Sequence, residues 1–310
     1  MRAVGITRFG GPEVLEIVER PVPEPGAGEV RIRVAAATVN PTDTVLRSGR
    51  HGAPEGLEPP YVPGMELAGT IDAAPAGTGF RPGERVMAIV SPRSAGGGAQ
   101  AEYVVVPADS VVAVPDGIGL VEAATLPMNG LTVRRALDLL ALGPGETLAV
   151  TGAAGAVGGY TIQLAKVAGL RVLADAYPKD SELVRGLGAD VVVPRGDEVA
   201  AAIRLATGAG ADALVDAAVM GGLVLPAVRD GGQVAAVRPF RGETERSITI
   251  ILVLVGDYLH AADKLAGLAG LAAAGRLTLR VARTLPAEQA AEAHRLLEAG
   301  GVRGRLVLTF

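Results

Sequence analysis

The chain has 310 residues, 49% of them hydrophobic but only 3% aromatic, and a formal net charge of −4. That length is enough for two domains with separate cores, with alanine and valine carrying much of the packing. Without a block of basic residues, a surface that tracks nucleic-acid phosphates is not expected. There is no cysteine, which excludes disulfides, thiol nucleophiles and thiolate zinc sites together. The three histidines, His51, His260 and His294, are far apart and lack metal-ligand spacing. Met1 to Gly5 lacks the apolar core of a signal peptide. The most apolar run, Ile248 to Val255, is too short to span a bilayer. The expected address is cytoplasmic, with no membrane partner.

From Met1 to about Leu120, strand-like runs alternate with glycine and proline turns: Val30–Val34, Gly69–Ile71, Val86–Val90 and Tyr103–Val106. Few helical patterns interrupt them, so this part reads as β-rich. From about Val121 the pattern becomes strand, turn, helix, repeated. Strands are predicted at 146–150, 170–174, 190–193, 212–216 and 233–237, which argues for a parallel sheet with right-handed crossovers. Helical periodicity returns over Ala261–Ala274 and Ala287–Ala299, and Arg305–Thr309 reads as a closing strand. The Ser247–Val255 run fits either a buried strand or a sheet edge that needs covering.

The segment with chemistry in it is Thr151-Gly152-Ala153-Ala154-Gly155-Ala156-Val157-Gly158-Gly159. It follows an apolar strand and opens a helix whose Val157, Tyr160, Thr161, Leu164, Ala165 and Ala168 recur at helical spacing. Glycines at 152, 155 and 158 supply a tight turn, room for a pyrophosphate and close helix–strand contact. The helix N-terminus beyond them offers free N–H groups to an anion. A glycine triplet alone is weak in a chain with 43 glycines; strand, helix and a following acid together are not. That acid is Asp175, about 20 residues on, where a carboxylate accepts hydrogen bonds from the adenosine ribose hydroxyls. A carboxylate there tilts the preference toward NAD over NADP. A solvated loop acid is the alternative, since Lys179 and Arg185 nearby could serve a phosphate.

Several further segments, in order, carry a family resemblance: Asn40-Pro41-Thr42-Asp43, Val62-Pro63-Gly64-Met65-Glu66-Leu67-Ala68-Gly69, Gly98-Ala99-Gln100-Ala101-Glu102-Tyr103-Val104, Ala123–Thr132, Leu187-Gly188-Ala189-Asp190 and Arg303–Leu308. With the glycine loop they make the chain resemble, over essentially its whole length, the medium-chain dehydrogenase/reductase superfamily. Within it the resemblance is to the zinc-independent, zeta-crystallin-like quinone oxidoreductase branch. The fold implied is α/β: a discontinuous GroES-like β-rich catalytic domain (1–120 and 255–310) and a doubly wound parallel-sheet Rossmann domain (121–254). A homodimer joined through the sheets of the cofactor domains is implied as well.

The resemblance also shows what is missing. The catalytic ligands of zinc-dependent relatives would fall on Asn40, Met65 and Met128, and an amide and two thioethers are poor substitutes for thiolate and imidazole. No zinc is expected, and alcohol dehydrogenation is disfavoured without a Lewis acid. What remains is hydride transfer from NAD(P)H to an acceptor already electrophilic, a quinone or an α,β-unsaturated carbonyl compound. The resemblance puts Asn40 near the nicotinamide, with a turn cap as the alternative. Thr132 stands by the cofactor or caps its helix locally. Ala217, Ala218, Val237 and Arg238 border the nicotinamide half. The proton donor is less legible: a family tyrosine is replaced by Val45, leaving His51, a weaker Tyr61, or solvent. Met65 and Met128 fill space, Glu66 is structural, and Asn129 could donate to a substrate oxygen. Two alternative functions stay open, an enoyl-thioester reductase of a biosynthetic pathway and a non-catalytic NAD(P)H-binding sensor. A short-chain dehydrogenase is set aside, because no tyrosine has a lysine four residues on.

Overall fold

The computed structural model describes residues 1–50, 52–240 and 242–310. In chain order, β1 (Arg2–Ile6) and β2 (Leu15–Glu19) are followed by the long β3 (Glu29–Thr38) and the short helix α1 (Pro41–Arg47). Strands β4 (Glu66–Ala73), β5 (Arg85–Ile89), β6 (Tyr103–Pro107) and β7 (Val111–Ala113) lead to α2 (Leu120–Ala123) and α3 (Pro127–Leu140). The α/β part runs β8 (Thr147–Thr151), α4 (Ala156–Val167), β9 (Arg171–Ala176), α5 (Ser181–Gly186), β10 (Val191–Pro194), α6 (Val199–Thr207), β11 (Ala211–Asp216), β12 (Val228–Ala236) and β13 (Thr249–Leu252). The chain closes with α7 (Ala262–Ala273), β14 (Val281–Pro286), α8 (Ala290–Ala299) and β15 (Arg305–Thr309).

Two compact units result, one of Met1–Met128 with Gly256–Gly275 and Leu279–Phe310, the other of Asn129–Val255 with Arg276–Thr278. In the first, β14-β15-β3-β4-β5-β7 form one sheet with β6 paired to β3, and β1 and β2 form an antiparallel ribbon. Glycine is required at position 69 in β4, where a Cβ would collide with the Arg33 backbone across the β3 pairing. Alternation in β3 and β6 puts Val30, Ile32, Val34, Val104 and Val106 into a core with Ile71, Val86 and Ala88. A second cluster, including Val4, Ile6, Leu285, Leu306 and Leu308, packs under α8 residues Ala290 and Ala293.

The second unit is a parallel sheet in the order β10-β9-β8-β11-β12-β13, all its pairings parallel. Renumbered from β8, that order is 3-2-1-4-5-6, the doubly wound arrangement whose strand order reverses between β8 and β11. The fold class is therefore as expected: a GroES-like β-rich unit and a Rossmann unit. Strand ends of this unit lie within two residues of the expected ones, except that β12 begins five residues earlier, at Val228; in the first unit β3 ends four residues later and β4 begins three earlier than expected. The apolar run from Ile248 yields only the short edge strand β13. Helix α4 is buried over Gly158–Ala165 on all sides rather than along one stripe, while Ala168 is exposed. Its one long polar residue there, Gln163, is satisfied: Nε2 donates to the Gly159 carbonyl (3.2 Å), and Oε1 accepts the Thr278 N–H (2.9 Å).

Candidate functional site

In open α/β sheets, ligands bind outside the carboxyl ends of the strands at the switch point. Here that place is the end of β8 and of β11, where the glycine loop begins. Gly152 sits at φ +67°, and a Cβ on it would press to 3.0 Å on the Ala217 carbonyl carbon and the Ala218 nitrogen. Conformation and close approach both require glycine at this position. At Gly158 a Cβ would collide with the Gly152 carbonyl and would lie 2.7 Å from the Ala153 Cα. The absence of a side chain there is what lets α4 start against the loop. Gly155 is the N-cap of α4, with no side-chain cap. The Ala156, Val157 and Gly158 N–H groups belong to the first turn, which has no intrahelical acceptors and carries the positive end of the helix dipole.

The facing turn is pinned by polar side chains. Thr151 Oγ1 donates to Asp216 Oδ1 (2.8 Å) and accepts the Ala218 N–H (3.2 Å), tying the ends of β8 and β11 together. The Asp216 oxygens also accept the Met220 N–H (3.1 Å) and the Gly221 N–H (2.9 Å). Between these anchors Val219 is held at φ +59° and is 54% exposed. A β-branched residue in the left-handed region is a genuine outlier, of the kind that persists only where its surroundings over-determine it. Ala217 and Ala218 are half-buried in this turn, and Val237 and Arg238, also half-buried, follow β12. Thr132 and Asn129 lie in the first turns of α3 and are buried.

Asp175 is near the end of β9, where an acid was expected, but its carboxylate faces inward. Oδ1 accepts the Ala153 N–H from the glycine loop (2.9 Å), and Oδ2 is paired with Arg195 Nη1 (3.0 Å). Neither a solvated loop acid nor a carboxylate presented openly to a ribose describes it. Arg195 itself follows β10, whose register puts Val193 beside Asp175. The sequence offered no signal for it, because the partner comes from the neighbouring strand.

In the β-rich unit the polar residues of the family-type segments gather in one buried network. Arg305 Nη2 donates to Thr38 Oγ1 (2.6 Å) and Asn40 Oδ1 (2.7 Å) and pairs with Glu66 Oε1. Asn40 Nδ2 donates to Thr38 Oγ1 (3.3 Å) and Glu66 Oε1 (3.4 Å). The other Glu66 oxygen accepts the Met128 N–H (2.7 Å) in the first turn of α3. Beside them, Asp43 caps α1: Oδ2 accepts the Asn40 N–H (2.7 Å), and Oδ1 accepts the Gly64 N–H (3.0 Å). Burial pushes the Asp43 carboxyl up to about 7, against the pull of those two N–H groups and of Arg305. Asn40 occupies the N-cap position of α1, and both ends of its amide are bonded to protein partners.

The donor set at the three metal-equivalent positions fits zinc poorly. The Asn40 oxygen is engaged by Arg305, and the Met65 sulfur faces Thr42 Oγ1 at 3.1 Å. Among the described residues, no three His, Cys, Asp or Glu side chains gather as a metal site. His51 lies outside the described residues. Tyr61 is buried and stacks on Phe9. No described helix is long and apolar enough to cross a membrane.

A doubly wound unit with a glycine cradle at its switch point, in one chain with a GroES-like unit, defines a class of two-unit oxidoreductases. Comparison with known proteins agrees. Residues 26–116 match the alcohol dehydrogenase GroES-like domain, and residues 187–308 match the zinc-binding dehydrogenase family. The chain is 31% identical to a chloroplastic quinone oxidoreductase of Triphysaria versicolor, over 84% of this chain and 85% of that one. It is 30% identical to a quinone oxidoreductase of Pseudomonas aeruginosa, over 99% of each. A mycobacterial protein solved in complex with NADPH superposes with a TM-score of 0.86 at 29% identity, covering 100% of both chains. The chain belongs to the medium-chain dehydrogenase/reductase superfamily, in its quinone oxidoreductase branch, and is an oxidoreductase of that family.

Proposed function

We propose that this chain is a zinc-independent reductase that transfers hydride from NAD(P)H to a quinone or an α,β-unsaturated carbonyl compound. The observation that carries the reading is the glycine cradle at the switch point, where Gly152 has a left-handed φ in tight backbone contact and Gly158 has no space for a side chain. In this reading Gly152, Ala154, Gly155, Ala156, Val157 and Gly158 line the pyrophosphate, held by backbone N–H groups of the first turn of α4. Asp175 fixes the loop at its adenosine end. Thr132, Ala217, Ala218, Val237 and Arg238 border the nicotinamide half, with the strained Val219 turn as its wall. The bound reduced nicotinamide supplies a hydride.

An acceptor that is already electrophilic needs only hydrogen-bond donors for the oxygen that gains charge, and a proton. Asn129 and His51 are the proposed donors. Asn40 acts as a positioning residue, because its side chain is enclosed between Arg305, Thr38 and Glu66. The Met65 and Met128 thioethers give the acceptor an apolar floor. A homodimer is proposed through β13, an edge strand followed by the exposed Leu254.

The test is absorbance-monitored oxidation of NADH and NADPH against a panel of quinones and enones, with a metal chelator present throughout. Turnover that survives chelation is expected. Turnover abolished by chelator and restored by zinc would overturn the zinc-independent reading. Tight coenzyme binding without turnover would move the assignment to a non-catalytic binding protein. Light scattering on the eluting peak of a sizing column is expected to give twice the 31.3 kDa chain mass.

A further inference from the structure

Helix α1 has only seven residues and is about 10 Å long, and polar side chains tie it down at both ends. At its start, Asn40 and Asp43 hold the turn described above. At its end, the Arg47 guanidinium is 4% exposed and uses all three of its nitrogens. Nε donates to the Gly10 carbonyl (3.2 Å), Nη1 to His294 Nδ1 (3.1 Å) and Nη2 to Glu298 Oε1 (2.6 Å). The Gly10 N–H in turn donates to the Arg47 carbonyl (3.1 Å). One residue therefore joins α1, α8 and the β1–β2 connection. The neighbouring Phe9 ring stacks on Tyr61, with centroids 5.7 Å apart. It also closes on Gly49, where φ is +69° and a Cβ would lie 2.6 Å from the ring. The chain leaving α1 is thus seated against the same connection.

This clamp is a poor device for stability. An arginine has only donors, so His294 Nδ1 is the lone-pair nitrogen and the ring proton is on Nε2. That Nε2 is buried without a partner among the described residues. The buried cation faces one carboxylate, Glu298, which is itself 41% exposed. Buried pairs of this sort add little net stability over apolar residues of the same volume. What the clamp supplies is direction, because a planar fork bound on three sides admits one orientation of the helix that carries it. That helix also carries Thr42, whose hydroxyl contacts the Met65 sulfur (3.1 Å).

We propose that Arg47 is a positioning residue for the acceptor side of the reaction. It fixes the direction of α1, and with it Asn40, the Thr42–Met65 contact and the chain that leads on to His51. This rests on the reductase reading above. Arg47 is enclosed by protein, so it acts through α1 and not on a ligand.

The experiment separates acceptor turnover from coenzyme binding in the full chain. Calorimetry reads the Kd of NADH and NADPH, and their oxidation by naphthoquinone or cyclohexenone reads acceptor kcat/KM. Arg47→Met keeps the length of the side chain and removes the fork. It should lower kcat/KM about 10- to 100-fold, as small misplacements remote from the chemistry do, while the coenzyme Kd stays within about two-fold. Arg47→Lys should recover little, because a point charge on a flexible stem does not reproduce the fork. His294→Asn, whose amide oxygen can replace Nδ1 as acceptor, should keep several-fold more of kcat/KM than His294→Leu. If Arg47→Met does not fold, Arg47→Lys and the His294 pair carry the test. Amide hydrogen exchange in Arg47→Met should quicken over 8–11 and 42–50 and not across the whole unit. Parent-like kcat/KM in Arg47→Met, or a fall shared equally by coenzyme affinity, overturns the proposal and leaves the reductase reading standing. A parent chain that binds coenzyme and turns over no acceptor overturns that reading, and the positioning role with it.

Discussion

The two units hold their characteristic residues in opposite ways. In the β-rich unit, Thr38, Asn40, Glu66 and Arg305 are buried and hydrogen-bond one another, from the end of β3 and the starts of β4 and β15. In the α/β unit, the loop from Gly152 to Gly158 carries no polar side chain, and its helix N-terminus has no side-chain cap. One set of polar groups bonds mostly within itself, and the other presents the first-turn N–H groups of a helix. In the proposed reading, family-type residues mark sites of two kinds: those that hold the fold and those that would hold a ligand.

The largest expected effect comes from opening the closed set. Glu66→Leu strands the Arg305 cation in the interior and removes the acceptor of the Met128 N–H. Removing one member of a buried ion pair costs about 3–5 kcal/mol, to be measured by denaturant unfolding. The pair Glu66→Leu with Arg305→Met should recover a good part of that loss, because two apolar residues need no partner. A double variant no better than the single one would show that the remaining contacts of Arg305, to Thr38 and Asn40, matter more than its charge pairing.

Next comes the cradle. Gly158→Ala places a methyl against the Gly152 carbonyl, an overpacking that costs about 1–3 kcal/mol. Unlike Glu66→Leu, it should abolish coenzyme binding in a chain that still folds, read by calorimetry beside circular dichroism. Full coenzyme affinity in Gly158→Ala would break the distinction between the two regions.

This contrast also explains what was legible. The strand–loop–helix at 147–167 is local, so glycine spacing and periodicity reveal it from sequence. The parallel sheet follows from strand and helix alternation for the same reason, whereas its doubly wound order was implied by the family resemblance. Asn40 and Arg305 are separated by 265 positions, and no spacing rule connects them. The identity of Asp175 and its distance from the glycines were readable. Its orientation was set by Arg195, from the next strand, and that was not. Strand β14 escaped notice because most of Val281–Pro286 is exposed, so it lacks the alternation that marks a half-buried strand.

The smallest expected effect in the unaltered chain is its acid response, because two buried groups of the β-rich unit oppose each other. Asp43 titrates at about 7 in the fold, against 3.8 for an ordinary aspartate. Between those values the folded state holds the extra proton, so stability falls as pH rises, by about 1.4 kcal/mol per pH unit. His294 is pushed the other way, down to about 3 from 6.5, by burial and by the Arg47 cation at 3.1 Å. Between those values the unfolded state holds the extra proton, so stability rises with pH by the same slope. Over the shared window, about pH 4 to 6.5, the two contributions cancel. Asp43→Asn should therefore expose a stability that climbs with pH relative to the parent, and His294→Leu one that declines. The amide that Asp43→Asn introduces also sets a donor against one of two backbone N–H groups, a cost independent of pH, so the slope and not the midpoint is the readout. Parallel pH profiles for parent and both variants in urea unfolding would mean that neither group keeps its shifted protonation in the folded chain.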